Sequence, residues 1–240
     1  MCELLAVAWE EPKAFDTVLP WARELERLGV AGFGWGVAWI DDEGRVQRYR
    51  NPLSLAEDAA GADRLRDVRS SRFLIHLRRP SKLSTVQEAD SQPFLDPAGA
   101  FAFCHNGFFE RAESLRERYA GRLQGQADSE VGFCVVQDRL REGTEPDTAL
   151  RDTLEKLGGT GNLGYLGGTG ELLVLAGHPH NALWRFRDPG GAEVAVTALH
   201  SADESVFDLL FPEATEREPV VRDLTRVGGP VPEPQARAAS

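Results

Sequence analysis

Cysteine, methionine and histidine are scarce in this chain, and their scarcity argues against several kinds of site. The 240 residues include three cysteines, one methionine and five histidines. Cys2, Cys104 and Cys134 are odd in number, lack CxxC spacing and have no paired histidines near them. A disulfide framework and a zinc site are therefore disfavoured. We expect no metal and no organic cofactor, and a reducing cytoplasmic compartment.

Basic residues and long apolar runs are also few. Lys and Arg number 27 against 38 Asp and Glu, which gives a formal net charge of −11. So acidic a chain argues against nucleic acid as a partner, because phosphate contacts need clustered Lys and Arg. No apolar run approaches the roughly 20 residues of a membrane span, so we expect no membrane partner. The N-terminus also lacks the basic and apolar order of a signal peptide.

The hydrophobic patterns predict a block of strands, then helices, then more strands. The first strands are expected at 3–9, 34–40, 45–50, 71–77 and 100–106, with an amphipathic helix at 19–29. Helices follow at 110–119, 129–142 and 147–157, and strands at 163–167, 171–176, 182–187, 193–198 and 219–224. This order favours an α+β domain with an antiparallel sheet. We predict one domain over 1–227 and a disordered Pro- and Gly-rich tail over 228–240.

Cys2 follows the initiator methionine directly, and that position has a chemical use. Removal of Met1 by an aminopeptidase is expected because the Cys side chain is small. The freed residue then carries both a thiol and an α-amine whose reference pKa is near 8. One residue can therefore supply the nucleophile and the general base of an amide hydrolysis.

Three further segments contain groups that suit the same chemistry: HLRRPS (76–81), FCHNG (103–107) and ADSE (127–130). The Asn106 amide and the Gly107 backbone N–H can stabilise an oxyanion. Arg78 can bind a carboxylate through two hydrogen bonds, and Asp128 can accept from an ammonium group. Each segment alone also has an ordinary structural reading, as a surface Arg pair, a turn or a helix N-cap.

Taken together, the segments resemble class II glutamine amidotransferases, which belong to the N-terminal nucleophile hydrolase superfamily, and in particular the small stand-alone type. The typical series MCRLLGY, GDGWG, HIRxAT, HPF, FxHNG and DSE is matched here, in the same order, by MCELLAV (1–7), GFGWGVAW (32–39), HLRRPS (76–81), QPF (92–94), FAFCHNG (101–107) and ADSE (127–130). One such motif is weak evidence, whereas six in order are specific.

The resemblance implies a four-layer αββα sandwich of two antiparallel sheets. It also implies a thiol amidohydrolase that cleaves the γ-amide of glutamine, or of a γ-glutamyl conjugate, through a γ-glutamyl thioester on Cys2. The implied oxyanion donors are Asn106 and Gly107. The implied substrate-binding residues are Arg78 for the α-carboxylate and Asp128 for the α-ammonium, together with Ser81 and His105.

The chain departs from the family pattern at four places, where it has Glu3, Phe33, Pro80 and Gln92. None is the nucleophile or a glutamyl-binding charge, so the departures bear on substrate identity and loop geometry. Three alternatives are open. In the first, the chain is an enzyme that delivers ammonia to a synthase subunit. In the second, it is an enzyme that works alone on a γ-glutamyl conjugate, as relatives in ergothioneine biosynthesis do. In the third, it is a catalytically degenerate binding or regulatory module.

Other segments have structural explanations that we prefer. The HPH segment at 178–180 is expected to be a loop, because two histidines without a third ligand make a weak metal site. The glycines of 167–170 predict a hairpin turn before the strand-like residues that follow. Cys104 and His105 are neighbours on a strand and therefore point to opposite faces, so they do not form a catalytic pair.

Overall fold

The computed structural model describes residues 2–197 and 205–229 of the chain. Met1, whose removal the sequence predicts, and residues 230–240 of the predicted tail lie outside the described residues. Two antiparallel sheets form the centre of the molecule.

The larger sheet has seven strands in the spatial order β11-β9-β10-β1-β4-β2-β3. These strands are β1 (Glu3–Ala14), β2 (Trp35–Ile40), β3 (Val46–Asn51), β4 (Arg69–Leu77), β9 (Leu183–Arg187), β10 (Glu193–Thr197) and β11 (Thr215–Val220). The smaller sheet has the order β12-β8-β7-β6-β5. Its strands are β5 (Phe94–Leu95), β6 (Phe101–Phe108), β7 (Thr160–Gly167), β8 (Leu172–Leu175) and β12 (Leu224–Arg226).

Helices cover the outer face of each sheet. Packed against the larger sheet are α1 (Leu19–Leu28), α2 (Ala59–Leu65) and α6 (Ser205–Leu210). The smaller sheet is covered by α3 (Ala112–Tyr119), α4 (Asp128–Arg141) and α5 (Pro146–Leu157). Short 3-10 turns lie at Phe15–Thr17, Leu83–Thr85 and Glu88–Asp90.

Strand alternation explains why there are four layers. In β1, Leu5 and Val7 pack in the helix-covered core, whereas Leu4 and Ala6 pack in a separate core between the sheets. In β6, Phe103 packs against the helices of the smaller sheet, and Cys104 joins the core between the sheets. Because successive side chains point to opposite faces, each strand contributes to two cores. The predicted αββα sandwich is confirmed.

Most predicted elements are present, with boundaries that move by a few residues. The strand predicted at 3–9 continues to Ala14 through a register shift between Ala8 and Lys13. The strand predicted at 219–224 is instead two strands, β11 and β12, which join different sheets. The helix α2 and the two-residue strand β5 were not predicted, because neither is long enough to show a clear periodicity.

Two smaller predictions are confirmed. The glycines of 167–170 form the turn between β7 and β8, where the Gly170 N–H donates to the Gly167 carbonyl at 3.0 Å. Cys104 is buried between the sheets, whereas His105 points to the helix-covered side and contacts Ser129. Among the described residues, no helix is both long and apolar enough to cross a bilayer.

Candidate active site

A cleft of about 850 Å³ opens beside the N-terminal end of β1. Most of the residues predicted for the site border it: Cys2, Arg78, Ser81, His105, Gly107 and Asp128. Asn106, also predicted, is 1% exposed and lies between two residues of the cleft wall. The fold therefore brings together segments that are more than a hundred residues apart in the sequence.

Cys2 immediately precedes β1, and the neighbouring strand β4 fixes its position. The register pairs Glu3 with Leu77, so the chain after β4 runs alongside Cys2. The backbone N–H of Arg79 donates to the Cys2 sulfur at 3.3 Å, and the Asn181 amide donates to the Cys2 carbonyl at 3.2 Å. Burial raises the pKa of the Cys2 thiol, while the Arg79 N–H and the Arg78 charge act to lower it. Because the raising effect is the larger one, the thiol needs a base to become a nucleophile.

Asn106 and Gly107 lie in β6, with the Asn106 side chain directed between the sheets, as Cys104 is. Both polar atoms of the Asn106 side chain are buried and have no hydrogen-bond partner among the described residues. Gly107 has a φ of +155° and is exposed at the cleft. A buried amide without a partner is costly in a folded protein, so the Asn106 side chain keeps an unused donor and an unused acceptor beside the cleft wall.

Arg78 is 4% exposed, and Thr85 holds its guanidinium group. Arg78 Nη1 donates to the Thr85 carbonyl at 2.6 Å, and Nη2 donates to the Thr85 hydroxyl at 2.7 Å. Burial lowers the pKa of Arg78, whereas the charges of Cys2, Asp90 and Asp128 act to raise it. The cation is thus fixed in orientation close to both the thiol and the Asp128 carboxylate.

Asp128 is the first residue of α4, and Ala127 occupies the N-cap position. The helix predicted at 129–142 therefore begins one residue earlier than expected. Asp128 Oδ2 accepts from the Phe109 N–H at 2.8 Å, and Oδ1 accepts from the Ser129 N–H at 2.9 Å. These bonds link α4 to the end of β6 and hold the carboxylate at the cleft wall.

A second carboxylate orients the loop before Asp128. Asp90 is fully buried, and its Oδ1 accepts from the backbone N–H groups of Gln126 and Ala127, both at 2.6 Å. Asp90 thus holds the loop that leads into α4, although Asp90 lies far from this loop in the sequence.

His105 and Ser81 occupy very different environments. The His105 ring stacks on Phe109 with centroids 3.8 Å apart, its Nδ1 lies 3.0 Å from the Ser129 hydroxyl, and its Nε2 lies 3.4 Å from the Thr160 carbonyl. Burial lowers the pKa of His105, which favours the neutral ring. Ser81 is exposed at the rim of the cleft. His105 therefore uses both ring nitrogens within the protein, whereas the Ser81 hydroxyl faces the cleft opening.

Three of the four departures from the family pattern make contacts in the structure. The Gln92 side chain accepts from the His105 N–H at 2.6 Å and donates to the His105 carbonyl at 3.2 Å, so it holds β6 next to Asn106. The Phe33 ring lies 5.8 Å from the Arg79 guanidinium, in cation–π range. Glu3 is fully buried and accepts a hydrogen bond from the Thr197 hydroxyl. Nothing in the structure explains Pro80.

Two asparagines that the sequence interpretation missed connect the smaller sheet to Cys2. Asn162 pairs with Asn106 in the β6–β7 register. Its Oδ1 accepts from the N–H groups of Gly177 and His178, both at 3.1 Å, and its Nδ2 donates to the Asn181 carbonyl at 2.7 Å. Asn181 in turn holds the Cys2 carbonyl. In the sequence, Asn162 can be recognised as a polar residue within the otherwise apolar strand GNLGYL, whereas no sequence feature distinguishes Asn181.

The HPH segment lies in the loop between β8 and β9, as expected, with His178 and His180 at the cleft border. No group of three or more His, Cys, Asp or Glu within 2–197 and 205–229 is arranged to hold a metal ion.

Comparison with known proteins identifies the family. The sequence model of the class-II glutamine amidotransferases matches residues 1–206. The chain belongs to this family. The fold and the cleft are therefore those of an enzyme family whose members hydrolyse the amide of glutamine.

Two curated relatives resemble parts of this class-II amidotransferase. A glutamine–fructose-6-phosphate aminotransferase (isomerizing) from Pseudomonas aeruginosa is 32% identical over 149 residues, which are 59% of this chain and 23% of the relative. A gamma-glutamyl-hercynylcysteine sulfoxide hydrolase from Mycolicibacterium smegmatis is 31% identical over 103 residues, 43% of this chain and 41% of the relative. The chain spans less than half the length of either protein.

Solved structures support the same fold at low sequence identity. Glutamine phosphoribosylpyrophosphate amidotransferase from B. subtilis aligns with a TM-score of 0.69 and 18% identity, over 94% of this chain and 48% of that one. A glutamine aminotransferase class-II domain protein from Silicibacter pomeroyi aligns with a TM-score of 0.58 and 20% identity, over 82% of this chain and 88% of that one.

Proposed function

We propose that this chain is a thiol amidohydrolase that cleaves the γ-amide of glutamine or of a γ-glutamyl conjugate, with Cys2 as the nucleophile. The observation that carries the proposal is the common cleft of Cys2, Arg78 and Asp128 in a class-II amidotransferase fold. A thiol, a fixed guanidinium and a carboxylate at one cleft are the groups that a glutamyl amide needs.

The reaction follows from these groups. After loss of Met1, the α-amine of Cys2 takes the thiol proton, and the sulfur attacks the γ-carbonyl carbon. The Asn106 amide and the Gly107 N–H stabilise the oxyanion. The ammonium returns its proton to the leaving nitrogen, the C–N bond breaks, and ammonia or an amine departs. Water then attacks the thioester with the amine as base, which releases the glutamyl acid and restores the thiol. The raised pKa of the Cys2 thiol supports the need for this base.

Substrate recognition uses the two fixed charges. Arg78 binds the α-carboxylate with the donors that Thr85 leaves free, and Asp128 accepts from the α-ammonium. Ser81 contributes its hydroxyl at the rim. His105 contributes by keeping Ser129 and the start of α4 in place.

The size of the cleft favours a γ-glutamyl conjugate as the substrate. A cleft of about 850 Å³ lies in the range that accepts drug-sized ligands, which leaves room beyond a glutamyl head group. Its outer wall includes Glu113, Arg116 and His180, polar groups suited to a larger leaving amine. The gamma-glutamyl-hercynylcysteine sulfoxide hydrolase among the relatives supports this variant.

A partner that accepts ammonia is the other variant. The aminotransferase relative is much longer than this chain, which covers 23% of it. A synthase subunit would then use the ammonia that leaves the γ-amide of glutamine when the thioester on Cys2 forms. We propose a cytoplasmic location for either variant, because a catalytic thiol suits a reducing compartment.

The test uses untagged protein incubated with glutamine and with a panel of γ-glutamyl amines, with glutamate, ammonia and free amine measured separately. We expect turnover of γ-glutamyl compounds, and a loss of at least about a thousandfold in Cys2→Ala. Cys104→Ala is the matched control, since it removes a buried thiol from the core between the sheets and leaves the cleft intact. Equal activity of Cys2→Ala and the wild type would refute the proposal.

Intact-mass analysis separates the enzyme from the non-catalytic module. We expect the mature protein to lack Met1 and to gain the mass of an electrophilic glutamine analogue at Cys2. A short N-terminal tag is expected to abolish turnover because it blocks the amine. The same tag at the C-terminus is expected to leave turnover in place. Retention of Met1 in the native protein would favour the binding or regulatory module.

A further inference from the structure

A second groove, of about 330 Å³, lies at the edge of the sandwich and shares no lining residue with the active-site cleft. It is bordered by β3, which ends the larger sheet, by β5, which ends the smaller one, and by α4. Four arginines line it: Arg48, Arg50, Arg122 and Arg141. Such a concentration of cations is unexpected in a chain with a net charge of −11.

Arg48 and Arg50 lie on the inward face of β3. Val46, two residues earlier on the same face, packs in the apolar core between the sheets. Arg48 makes one hydrogen bond, from Nη1 to the Pro93 carbonyl at 3.4 Å, and no ion pair with any carboxylate that the structure describes. Burial and the neighbouring Arg50 lower the pKa of Arg48 to about 10. The guanidinium charge of Arg48 is thus half-buried without a counter-ion.

Arg50 is also incompletely satisfied. Its side chain is 7% exposed, and Nη1 donates to the carbonyls of Ala89 and Ser91 at 3.2 and 3.1 Å. Its Nε atom is buried without a hydrogen-bond partner among the described residues, and the exposed Glu88 carboxylate is 4.0 Å away. A buried guanidinium N–H without an acceptor costs free energy unless a ligand supplies one.

Two further charged residues of the groove, Arg122 and Glu130, already have partners. Arg122 Nη1 donates to Asp138 at 2.5 Å. Glu130, the carboxylate of the groove, accepts from the backbone N–H groups of Gln124 and Gly125, both at 2.8 Å. Arg48 therefore has no ion pair with a described carboxylate, and Arg50 is paired among the described residues only with the exposed Glu88 carboxylate at 4.0 Å. These two adjacent guanidinium groups can accept a further anion.

We propose that this groove binds the phosphate group of a small phosphorylated molecule, with Arg48 and Arg50 as its ligands. A phosphate monoester carries a charge of about −1.5 to −2 at neutral pH, whereas a single carboxylate carries about −1. Arginine binds phosphate through planar paired donors. Phe94, Leu95 and Phe133 provide an apolar wall for the organic part of the ligand, and a volume of about 330 Å³ admits a small metabolite.

Calorimetry and thermal unfolding test this proposal with inorganic phosphate and glycerol 3-phosphate as probes, against chloride and acetate at equal ionic strength. We expect both phosphates to bind and to raise the melting temperature, since a ligand of the native state stabilises it. Arg48→Gln is expected to weaken binding by about tenfold or more. Arg23→Gln is the matched control, because Arg23 is exposed on α1 and outside the groove.

In chloride alone, Arg48→Gln is expected to fold and to be at least as stable as the wild type, since it removes an uncompensated charge. A loss of stability there would assign Arg48 to the fold and overturn the proposal. Equal stabilisation of the wild type and Arg48→Gln by phosphate, or equal effects of acetate and phosphate, would also overturn it. Because the readouts are heat and melting temperature, failure here leaves the proposed hydrolysis at Cys2 unaffected.

Discussion

At the scale of single residues, His76 and Asn106 are two polar side chains in the layer between the sheets. His76 is fully buried, and neither of its ring nitrogens has a hydrogen-bond partner among the described residues. The Asn106 side chain is close enough to favour protonation of His76, but burial dominates and lowers the His76 pKa to about 3. A neutral His76 therefore lies beside the amide that we assign to the oxyanion.

The amide of Asn106 should act on the transition state more than on substrate binding. We expect Asn106→Ala to lower kcat by about 10²–10³-fold with a small change in KM, because an oxyanion donor is used only as the negative charge develops. Steady-state kinetics on the best γ-glutamyl substrate measure both constants. An equal kcat in the variant and the wild type would remove Asn106 from the oxyanion hole.

Protonation of His76 should destabilise the fold in acid. Its folded pKa, about 3, is below the unfolded value of about 6.5, so the unfolded state binds more protons between these pH values. The free energy of unfolding therefore falls as the pH drops from about 6.5 towards 3, by up to about 1.4 kcal/mol per pH unit for one such group.

Urea unfolding of the wild type and His76→Gln at pH 7, 6 and 5 measures this dependence. We expect a shallower loss of stability with falling pH in the variant, because Gln has no proton to gain. The same slope in both proteins would show that His76 titrates normally in the folded state.

At the scale of secondary-structure elements, the β6–β7 pair forms the floor of the site. Its register places Asn106 opposite Asn162 and Gly107 opposite Gly161. Asn162 then holds the loop that leads to Asn181, and Asn181 holds Cys2. Small residues at Gly107 and Gly161 let the two backbones approach closely where the cleft begins.

Gly107 should tolerate no side chain. A Cβ atom there would lie 2.0 Å from the Thr160 carbonyl oxygen, and the φ of +155° disfavours other residues. We expect Gly107→Ala to lower the free energy of unfolding by about 1–3 kcal/mol and to reduce turnover sharply. Gly121→Ala is the control, since a Cβ atom at Gly121 meets no atom within 4 Å. Equal melting temperatures for the two variants would contradict this account.

At the scale of the whole molecule, the distance between the two sheets sets the geometry of the site, because Cys2 directly precedes a strand of one sheet and Asn106 lies in a strand of the other. The layer between them includes many small side chains, such as Ala6, Ala102 and Cys104. A Cβ atom on Gly164 would lie 2.7 Å from the Cys104 sulfur and 2.8 Å from Leu74 Cδ1. The spacing of the sheets thus depends on the absence of a side chain at Gly164.

Gly164→Val should force the sheets apart. We expect a loss of about 1–3 kcal/mol in the free energy of unfolding, and a lower kcat because the thiol and the oxyanion donor separate. Adding Cys104→Ala should restore part of the free energy of unfolding and part of kcat, since it removes the atom nearest to the new side chain. Chemical denaturation and kinetics on the single and double variants measure the coupling. Purely additive effects would argue against a clash between the two positions.

The placement of most of the proposed site residues at one cleft could be predicted from short segments, because these residues are adjacent in sequence to recognisable neighbours. Asn106 and Gly107 follow an apolar strand, and Arg78 follows β4. The role of Thr85 in fixing Arg78, and that of Gln92 in fixing β6, could not be predicted, because hydrogen bonds between segments depend on loop paths that no periodicity encodes.

The sequence by itself indicated the family, and through that resemblance it predicted the αββα layers and the groups that we propose for the chemistry. Alternation along each strand then accounts for the layers, because it decides which side chains face the other sheet. Only the tertiary structure decided how Asn162 and Asn181 hold Cys2, and that Arg48 and Arg50 face a groove. Both arrangements join residues from different strands and sheets. Their positions are set by the packing of one sheet on the other, which is a property of the whole chain.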